Sequence, residues 1–546
     1  MTRQAPSMPW TIIATDAATV KGCQQIGARM NLVLLKLCLI AAVGCPLATS
    51  LAQKPPPNIV FIYTDDQDVE LGSLEAIPKI RTRLFEGGAT FEKFFVTTPI
   101  CCASRSSLLT GRYQHNINGE SNWCGNFTQA YQNKTFSLLL QEKGYATGMF
   151  GKFTNDLANY CGKNAHVPLG YDKWFHTCRL NIYYNISFCE DGKMVEFGDS
   201  PNDYMTSLIG NRTIDYIVER KGQNKEQPLF LYIAPHAPHV PATPAPWYLN
   251  HEFKVDKAPR TPNWNASGKN KHWLLDQQPP LTNYLAKMSD RLFVDRWRSL
   301  LSVDDIFDAV YKKFEELGEL DNTYFIYSSD HGYNLGQFRL PSGKFHAFEN
   351  DLRVPFAISG PGIDPGTKIQ QTIGLNLDIS STILDLAQVS GKNKMDWQAR
   401  SDGMSLKPFL NIDSTTSSNG NDKPSPRHRF IAEYWGVNPT MWVRRGPCSG
   451  WVTSCPDANE ERIEDCPSNT FTSLRVINET HNLYFTKFSN RQSDPYFKSP
   501  NFTETYDMSK DPYQMNNIFD SMQKDEIDAL TAELRVLNSC VGDSCR

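Results

Sequence analysis

Short apolar runs alternate along this chain with segments of helical spacing. The run NIVFIYT ends at Thr64 and is followed by two aspartates, as expected for a buried strand that reaches the edge of a sheet. Residues 304–331 show a helical pattern, a glycine turn, the apolar run TYFIYSS and then Asp330-His331. Residues 135–153 repeat the order of helix, glycine and strand. This alternation predicts an α/β fold with a large, mostly parallel sheet flanked by helices.

The composition divides the chain into four parts. Residues 1–52 form a leader, and residues 53–410 carry the α/β pattern of the main domain. Residues 411–428 are rich in Ser, Asn and Pro, which is typical of a linker. Residues 429–546 contain the strand-like runs FTSLRVI and HNLYFTKF and a terminal helical pattern. We therefore predict a smaller α+β subdomain at the C-terminal end.

Residues Met30 to Ala52 form an apolar run that follows Arg29 and ends in small residues. This pattern is typical of a cleaved signal peptide. The alternative is a membrane-anchoring helix, but Lys36 and Pro46 interrupt the run. The sequence therefore predicts a protein that is secreted or delivered to a lysosome-like compartment, with no membrane attachment after signal cleavage.

Entry into the secretory pathway would make the Asn-x-Ser/Thr sequons of the chain available for N-glycosylation. Each sequon is predicted to be a surface site. The sequons begin at Asn126, Asn133, Asn185, Asn211, Asn265, Asn478 and Asn501.

The number of cysteines limits how they can pair in an oxidising compartment. Three of the fourteen cysteines, Cys23, Cys38 and Cys45, lie in the leader, which leaves eleven. Because disulfides use cysteines in pairs, one of the eleven should be unpaired or used in other chemistry. The adjacent Cys101 and Cys102 stand at the start of a helical pattern and are the first candidates.

The net charge of −4 argues against a nucleic-acid or membrane-surface binder. The molecule as a whole provides no positive field for a polyanion. An anionic substrate would therefore need a local basic pocket.

A pair of residues that includes aspartate ends each of two predicted strands. Asp65-Asp66 follows the first apolar run, and Asp330-His331 follows a later one. One such pair alone is more often a solvated turn. Two pairs at neighbouring strand ends can supply the oxygen ligands that hard divalent cations prefer. The sequence therefore predicts a metal site at this edge of the sheet.

The segment CCASRSSLLTGR, which begins at Cys101, resembles the signature of the type I sulfatases, Cys-x-Pro/Ala-x-Arg before an apolar helix and Thr-Gly-Arg. The resemblance implies that a formylglycine-generating enzyme oxidises Cys101 to formylglycine (3-oxoalanine) before folding. One hydroxyl of the hydrated aldehyde would attack sulfur, and the other would later expel sulfate. Setting Cys101 aside leaves ten cysteines, which could form five disulfides, with Cys102 as a structural one.

The resemblance extends from Pro57 to about Asn517 and includes GYATGMFGKF, APHAPHVP, YSSDHGYNLGQF and TYDMSKDPYQMNN. It is strongest to the branch with N-acetylglucosamine-6-sulfatases, extracellular heparan 6-O-endosulfatases and certain arylsulfatases. It implies an alkaline-phosphatase-like fold and one divalent cation, calcium. The cation would be ligated by Asp65, Asp66, Asp330 and His331 beside the modified Cys101. Most of the family has Asn where His331 stands, and imidazole is the less hard ligand, so the identity of the metal stays open.

Catalytic roles follow from the same resemblance. Arg105 would hold the formylglycine hydrate, and Lys152 would contact both the nucleophile and the sulfate. Lys344 would bind sulfate and help to protonate the leaving alcohol. His239 would lie near the leaving oxygen, with His236 as its rival for that position.

The sequence departs from the family pattern at two places. Ala103 replaces the commoner proline of the modification motif. Many sulfatases have Gly-Lys-Trp-His, whereas Lys152 is followed here by residues 153–155, Phe-Thr-Asn. The histidine that contacts the nucleophile elsewhere is therefore missing, and Thr154 or Asn155 is expected to replace its hydrogen bond. His346 is a further candidate without an assigned role.

The leading hypothesis is an enzyme that hydrolyses a sulfate ester, either an aryl sulfate or a sulfated sugar such as N-acetylglucosamine 6-sulfate. One alternative is a phosphatase or phosphodiesterase of the same fold. Another is a non-catalytic carbohydrate-binding relative in which Cys101 is unmodified. No long basic insert occurs in the chain, which favours an exo-acting enzyme or a small substrate. His115-Asn116 is a further candidate for shaping the pocket.

Overall fold

The computed structural model describes residues 55–118, 124–161, 166–410, 412, 425–436, 452–454, 461–463, 465, 469–489, 494 and 497–546. Pro55–Arg546 form one compact unit. The leader, most of the predicted linker and three cysteines, Cys448, Cys455 and Cys466, lie outside the described residues. The boundary between the main domain and the C-terminal subdomain stays a prediction.

The strands lie where the apolar runs predict them, and additional short strands occur between them. They are β1 Asn58–Thr64, β2 Ala89–Phe91, β3 Phe94–Phe95, β4 Ala146–Gly151, β5 Lys173–Thr177, β6 Ser187–Glu190, β7 Lys193–Glu196, β8 Leu229–Ala234, β9 Thr323–Ser329, β10 Phe356–Ser359, β11 Thr367–Ile369, β12 Gly374–Leu375, β13 Arg429–Tyr434, β14 Val452–Ser454, β15 Glu461–Ile463, β16 Thr470–Ile477, β17 Asn482–Ser489 and β18 Phe502–Asp507.

The α-helices include each one that the spacing predicts. They are α1 Pro78–Ile80, α2 Cys101–Thr110, α3 Gly125–Ala130, α4 Phe136–Glu142, α5 Leu157–Tyr160, α6 Met205–Gln223, α7 Trp273–Asp276, α8 Asn283–Glu316, α9 Glu349–Leu352, α10 Asp378–Leu386, α11 Lys392–Arg400 and α12 Lys524–Leu537. A π-helical turn, Arg81–Glu86, follows α1 directly.

The large sheet has the strand order β11-β2-β10-β9-β1-β8-β4-β5-β6-β7. Its centre, from β9 to β5, is parallel, and β10, β6 and β7 add antiparallel pairings at the two sides. The predicted α/β class with a mostly parallel sheet is therefore confirmed. In such a sheet the carboxyl ends of the central strands meet at one edge, where ligands bind.

Side chains of the central strand β1 alternate between two cores. Ile59, Phe61 and Tyr63 belong to one buried hydrophobic cluster, and Val60 and Ile62 belong to the other. Successive side chains of a strand point to opposite faces of a sheet. Both faces are therefore covered by helices, which explains why β1 reads as a continuous apolar run.

The C-terminal subdomain is built on an antiparallel sheet in the order β13-β16-β17-β18. The helix α12 lies against it, and Lys487 on β17 donates a hydrogen bond to the Thr531 hydroxyl of α12 at 2.9 Å. Aromatic side chains of this sheet, Tyr434, Phe471 and Phe488, pack in one cluster with Ile100 beside helix α2. The subdomain therefore lies directly behind the start of α2.

Disulfides join Cys102 to Cys124, Cys161 to Cys178, and Cys540 to Cys545. The structural role predicted for Cys102 is therefore confirmed. The expectation of five disulfides is wrong, because Cys189 is a second free cysteine besides Cys101. Its thiol is buried in the hydrophobic core, where an unpaired cysteine behaves as a small apolar side chain.

The sequons differ in exposure, and their glycosylation stays a prediction. Asn185, Asn211, Asn478 and Asn501 are exposed, whereas Asn133 and Asn265 are half-buried. Nothing is described for the side chain of Asn126. In the described part of the chain, no helix is long and apolar enough to cross a membrane.

His115 joins the region after α2 to the C-terminal end of the chain. Its Nδ1 lies 2.9 Å from the Glu433 carboxylate, and its Nε2 lies 3.0 Å from the carbonyl oxygen of Cys540. Asn116 donates to the same carbonyl oxygen at 2.9 Å. His115 and Asn116, which were candidates for shaping the pocket, thus hold two parts of the fold together.

Burial opposes charge on His115, but the Glu433 carboxylate raises the pKa of the imidazole to about 9. The folded state then binds a proton more tightly than the unfolded chain, whose histidine has a pKa of about 6.5. The ion pair contributes fully below pH 6.5, and its contribution of about 3 kcal/mol is lost as the pH rises through 9.

We therefore expect His115→Gln to lower the free energy of unfolding most below pH 6.5, with the difference from wild type disappearing above pH 9. Urea unfolding between pH 6 and 9.5 measures this difference. His481→Gln, at an exposed histidine, is the control and should show no such trend. An equal loss at every pH for His115→Gln would contradict the ion pair.

Candidate active site

The predicted site residues come together at the carboxyl edge of the large sheet. Asp65 and Asp66 follow β1, Lys152 follows β4, and Asp330 follows β9. Cys101 is the first residue of α2, whose residues are all buried. Residues more than 200 positions apart in the sequence therefore meet, because parallel strands end at one edge.

Three carboxylates form the centre of the site, and each is completely buried. The backbone N–H of Asp66 donates to Oδ1 of Asp330 at 3.0 Å. Asp66 has a φ of 69°, in the left-handed region that non-glycine residues seldom adopt. This turn directs both Asp65 and Asp66 toward the neighbouring strand ends.

The thiol of Cys101 lies at the meeting point of the site. Its Sγ is 3.5 Å from Oδ1 of Asp65, 3.4 Å from Nε2 of His331 and 3.2 Å from Nζ of Lys344. The Cys101 side chain is 2% exposed, whereas its neighbour Cys102 points away into a disulfide. A reacting group at Cys101 would therefore touch both the acidic and the basic sides of the site.

His331 and His239 both direct an imidazole nitrogen at the Asp66 carboxylate. Nδ1 of His331 lies 2.9 Å from the carbonyl oxygen of Gly332, and Nδ1 of His239 lies 2.7 Å from that of Val240. These hydrogen bonds assign a proton to each Nδ1, so each Nε2 presents a lone pair. The two Nε2 atoms lie 3.3 and 3.8 Å from oxygens of Asp66.

A lone pair that faces a carboxylate oxygen needs a cation between the two atoms. A proton or a metal ion can supply it, and Oδ2 of Asp66 has no hydrogen-bond donor among the described residues. Three buried carboxylates and imidazoles fixed by carbonyl groups are typical of a metal site. One donor atom from each of Asp65, Cys101, Asp330 and His331 lies within 4.8 Å of the others. The residues therefore fit a divalent cation.

Lys152 and Arg105 neutralise the inner side of this acidic centre. Nζ of Lys152 lies 2.6 Å from Oδ2 of Asp65, and Nε of Arg105 lies 2.9 Å from Oδ2 of Asp330. Arg105 also donates to the carbonyl oxygen of Lys152 at 2.6 Å. Burial opposes charge on Asp65, but the Lys152 ammonium, with Arg105 beside it, holds the pKa of this carboxyl well below its usual range.

Lys344 stands on the opposite side, between Cys101 and the acidic centre. Its Nζ lies 2.5 Å from Oδ1 of Asp66. Burial disfavours the ammonium form, but Asp66 and its neighbours raise the pKa of Lys344 well above its usual value. Asp65 likewise raises the pKa of the buried Lys152, so both lysines remain protonated.

The two candidate histidines after β8 occupy different positions. His236 is completely buried, and its Nε2 accepts a hydrogen bond from the backbone N–H of Asn181 at 3.2 Å. This contact places the proton on Nδ1, which lies 3.0 Å from Oδ2 of Asp65. Burial lowers the pKa of His236 to about 4, so it stays neutral. His236 therefore orients Asp65, whereas His239, whose side chain is 12% exposed, lies nearer the surface.

No described contact joins Thr154 to Cys101. The structure therefore does not show Thr154 in the position of the missing histidine. Its hydroxyl oxygen accepts from the backbone N–H of Asp156 at 3.4 Å. The turn around Lys152 is held instead by His176 on β5, whose Nδ1 lies 3.1 Å from the carbonyl oxygen of Gly151. The expectation for Asn155 stays a prediction.

Arg296 supports the site and is not among the residues that the sequence predicts for it. Its guanidinium donates to the backbone oxygen of Asp66 at 2.7 Å and to Oδ1 of Asp68 at 2.9 Å. It also lies over the Tyr333 ring at 4.3 Å. Arg296 is 1% exposed on the long helix α8 and therefore fixes the strained turn at Asp66. In the sequence, the only indication of this contact is that an arginine lies on the apolar face of the helical pattern.

The geometry predicts that a divalent cation stabilises the folded protein. Calcium at 100 times its Kd should raise the free energy of unfolding by about 2.7 kcal/mol relative to protein treated with EDTA. Thermal unfolding with and without calcium measures the effect. Asp330→Asn, which keeps the size of the side chain but removes its charge, should abolish the shift.

The control for this prediction is Asp215→Asn, at a carboxylate whose side chain is 69% exposed. This variant should keep the full calcium-dependent shift. A shift of the same size in Asp330→Asn would place the cation elsewhere.

The chain is similar to known proteins over most of its length. The profile of the sulfatase family matches residues 57–389. An N-acetylglucosamine-6-sulfatase of Capra hircus is 36% identical over 502 residues, which cover 90% of this chain and 85% of the relative. An arylsulfatase of Chlamydomonas reinhardtii is 30% identical over 93% of this chain and 78% of the relative.

A solved structure with a similar fold contains its substrate, D-glucosamine-2-N,6-O-disulfate. It superposes with a TM-score of 0.64 at 23% identity, covering 88% of this chain and 97% of that one. The fold, the family profile and the extent of the similarity agree. The chain belongs to the sulfatase family and is a sulfuric ester hydrolase.

Proposed function

We propose that this enzyme removes sulfate from sugar sulfate esters such as N-acetylglucosamine 6-sulfate, with formylglycine derived from Cys101 as its nucleophile. The observation that carries the proposal is the position of the Cys101 Sγ, which touches the Asp65 carboxylate, His331 and the Lys344 ammonium together. The sulfated sugar is proposed because two relatives that are N-acetylglucosamine-6-sulfatases align over 90% of this chain.

Calcium is the cation proposed for the acidic centre. Asp65, Asp66 and Asp330 would hold it through hard carboxylate oxygens, with His331 and the oxygen of the modified Cys101 beside them. When bound, calcium supplies positive charge that offsets the negative charge of a sulfate group and of an ionised nucleophile. The chain's own lysines supply the same kind of charge from the other side.

Residues of the chain would orient the nucleophile and the sulfate group. Lys152 is held by its ion pair with Asp65, and its carbonyl oxygen accepts from Arg105, so its ammonium has one well-defined position. Lys344 is held by Asp66 and lies 3.2 Å from the Cys101 Sγ. Two ammonium groups held by the acidic centre are suited to binding a sulfate group, whose charge lies on its peripheral oxygens.

The leaving alcohol would depart past the outer residues of the site. His239 and Lys344 are the least buried members, with side chains 12% and 9% exposed. Lys344 carries a proton because Asp66 and neighbouring charges raise its pKa. We assign to Lys344 the donation of a proton to the leaving oxygen because its Nζ lies 3.2 Å from the Cys101 Sγ, with His239 beside it.

The proposed setting is the secretory pathway. The apolar run from Met30 to Ala52 supports a signal peptide, and the disulfides between described cysteines are typical of an oxidising compartment. There the chain would meet a formylglycine-generating enzyme before folding. The mature enzyme would act in a lysosome-like compartment or outside the cell.

Mass spectrometry tests the nucleophile directly. In enzyme from a eukaryotic secretory host, reduced and alkylated, the tryptic peptide 94–105 should carry an aldehyde oxygen in place of the Cys101 sulfur. Cys102 should be alkylated in the same peptide. A Cys101→Ser variant is the control and should yield serine alone. An alkylated Cys101 in fully active enzyme would contradict the proposed nucleophile.

The substrate is tested by steady-state kinetics with N-acetylglucosamine 6-sulfate, 4-nitrophenyl sulfate and 4-nitrophenyl phosphate. We expect the sugar sulfate to give the highest kcat/KM and the phosphate the lowest. Cys101→Ala should reduce kcat roughly 10³-fold or more, because the nucleophile is lost. The matched control is Cys189→Ala, at the other free and buried cysteine among the described residues, which should retain kcat. A preference for the phosphate ester would support the phosphatase alternative.

A further inference from the structure

The segment that carries Lys344 is held by the C-terminal subdomain. This segment, residues 344–349, runs from the active site to the start of α9. Its second residue, Phe345, has a φ of 89°, although it is bulky and not a glycine. Such a conformation is strained and persists only where the surrounding structure imposes it.

Asn469, directly before β16, contacts the strained residue. Its Nδ2 donates to the carbonyl oxygen of Phe345 at 3.0 Å and to Oδ1 of Asp465 at 3.0 Å. Oδ2 of Asp465 in turn accepts from the Tyr434 hydroxyl at 2.5 Å. Both partners of Nδ2 are acceptors, so the opposite orientation of the amide would set oxygen against oxygen. Asn469 is 1% exposed, and its orientation is therefore fixed.

Further C-terminal residues hold the other end of the segment. Nε2 of Gln514 donates to the carbonyl oxygen of Ala347 at 3.1 Å, and Oε1 of Gln514 accepts from the N–H of Glu349 at 2.9 Å. Arg475 on β16 pairs with the Glu349 carboxylate at 2.7 Å. The Lys344 end of the segment reaches the active site, so contacts from the subdomain, together with the hydrogen bond from the His346 N–H to Asp351, bear on the position of its ammonium.

The Phe345 side chain connects the same segment to the nucleophile. It packs with Ile100 and Ala103 at the start of α2 and with Tyr434 of β13, whose ring centre is 5.8 Å away. A change in the conformation of Phe345 would therefore disturb Lys344 and the first turn of α2 together.

We propose that Asn469 is a positioning residue for Lys344, because its hydrogen bond to the Phe345 carbonyl holds the strained turn that places the Lys344 ammonium on Cys101 and Asp66. The catalytic consequence rests on the proposed function. The structural consequence does not, because it concerns the conformation of the segment alone.

A double-mutant cycle tests the catalytic consequence with N-acetylglucosamine 6-sulfate. Asn469→Ala should lower kcat roughly 10- to 100-fold, as expected for a misplaced catalytic group. In the background of Lys344→Ala, the same substitution should change kcat by less than about twofold, because its effect acts through Lys344. Equal fold-changes in the two backgrounds would overturn the proposal.

Ser473→Ala is the matched control for loss of a buried hydrogen bond on the same sheet. Its hydroxyl lies 2.6 Å from that of Thr486, and the pair has no described contact with the 344–349 segment. This variant should lower the melting temperature but retain kcat. Asn469→Asp gives a second variant of native size, and it should lose activity as Asn469→Ala does, because its carboxylate faces Asp465 and a carbonyl oxygen. Full activity in Asn469→Asp would contradict the proposal.

Crystal structures of the wild type and of Asn469→Asp test the structural consequence, and they do so without a measurement of activity. We expect Phe345 to leave the positive-φ region and Nζ of Lys344 to move away from Asp66 in the variant. An unchanged Phe345 and Lys344 would overturn the proposal, even in a fully active enzyme. A wild type that hydrolyses no sulfate ester would instead refute the proposed function, and this comparison would still stand.

Discussion

The burial of three carboxylates side by side is the constraint on which the rest of this structure depends. Asp65, Asp66 and Asp330 are completely buried, and each would be costly to ionise without compensating charge. Arg105 compensates Asp330, Lys152 compensates Asp65, and Lys344 compensates Asp66. These contacts require that β1, β4 and β9 end close to one another and to the start of α2, and the parallel sheet brings the strand ends together.

The part of the site that lies at strand ends could be predicted from the sequence. Asp65-Asp66 and Asp330 follow apolar runs, so their shared edge follows from the predicted parallel sheet. Cys101 and Arg105 were identified because they belong to one contiguous motif with a helical spacing. In both cases the information is local, within a few residues of a recognisable strand or helix.

The parts that escaped prediction depend on contacts between distant segments. Arg296 contacts the Asp66 turn from the middle of a long helix, and nothing in the neighbouring sequence indicates this partner. Asn469 and Phe345 are 124 positions apart, on opposite sides of the predicted linker. The disulfide count failed for a related reason, because pairing depends on where side chains point and Cys189 points into the core. Tertiary packing, rather than local pattern, settles such positions.

The burial of Cys101 bears on how many molecules in a preparation of this enzyme are active. Its side chain is 2% exposed and stands between a disulfide-bonded neighbour and a buried ionic network. No modifying enzyme could reach that sulfur without unfolding the first turn of α2. Under the proposed chemistry, a molecule that folds with an unmodified thiol stays inactive for its lifetime. The specific activity of a preparation would therefore record how synthesis and modification competed in the producing cell.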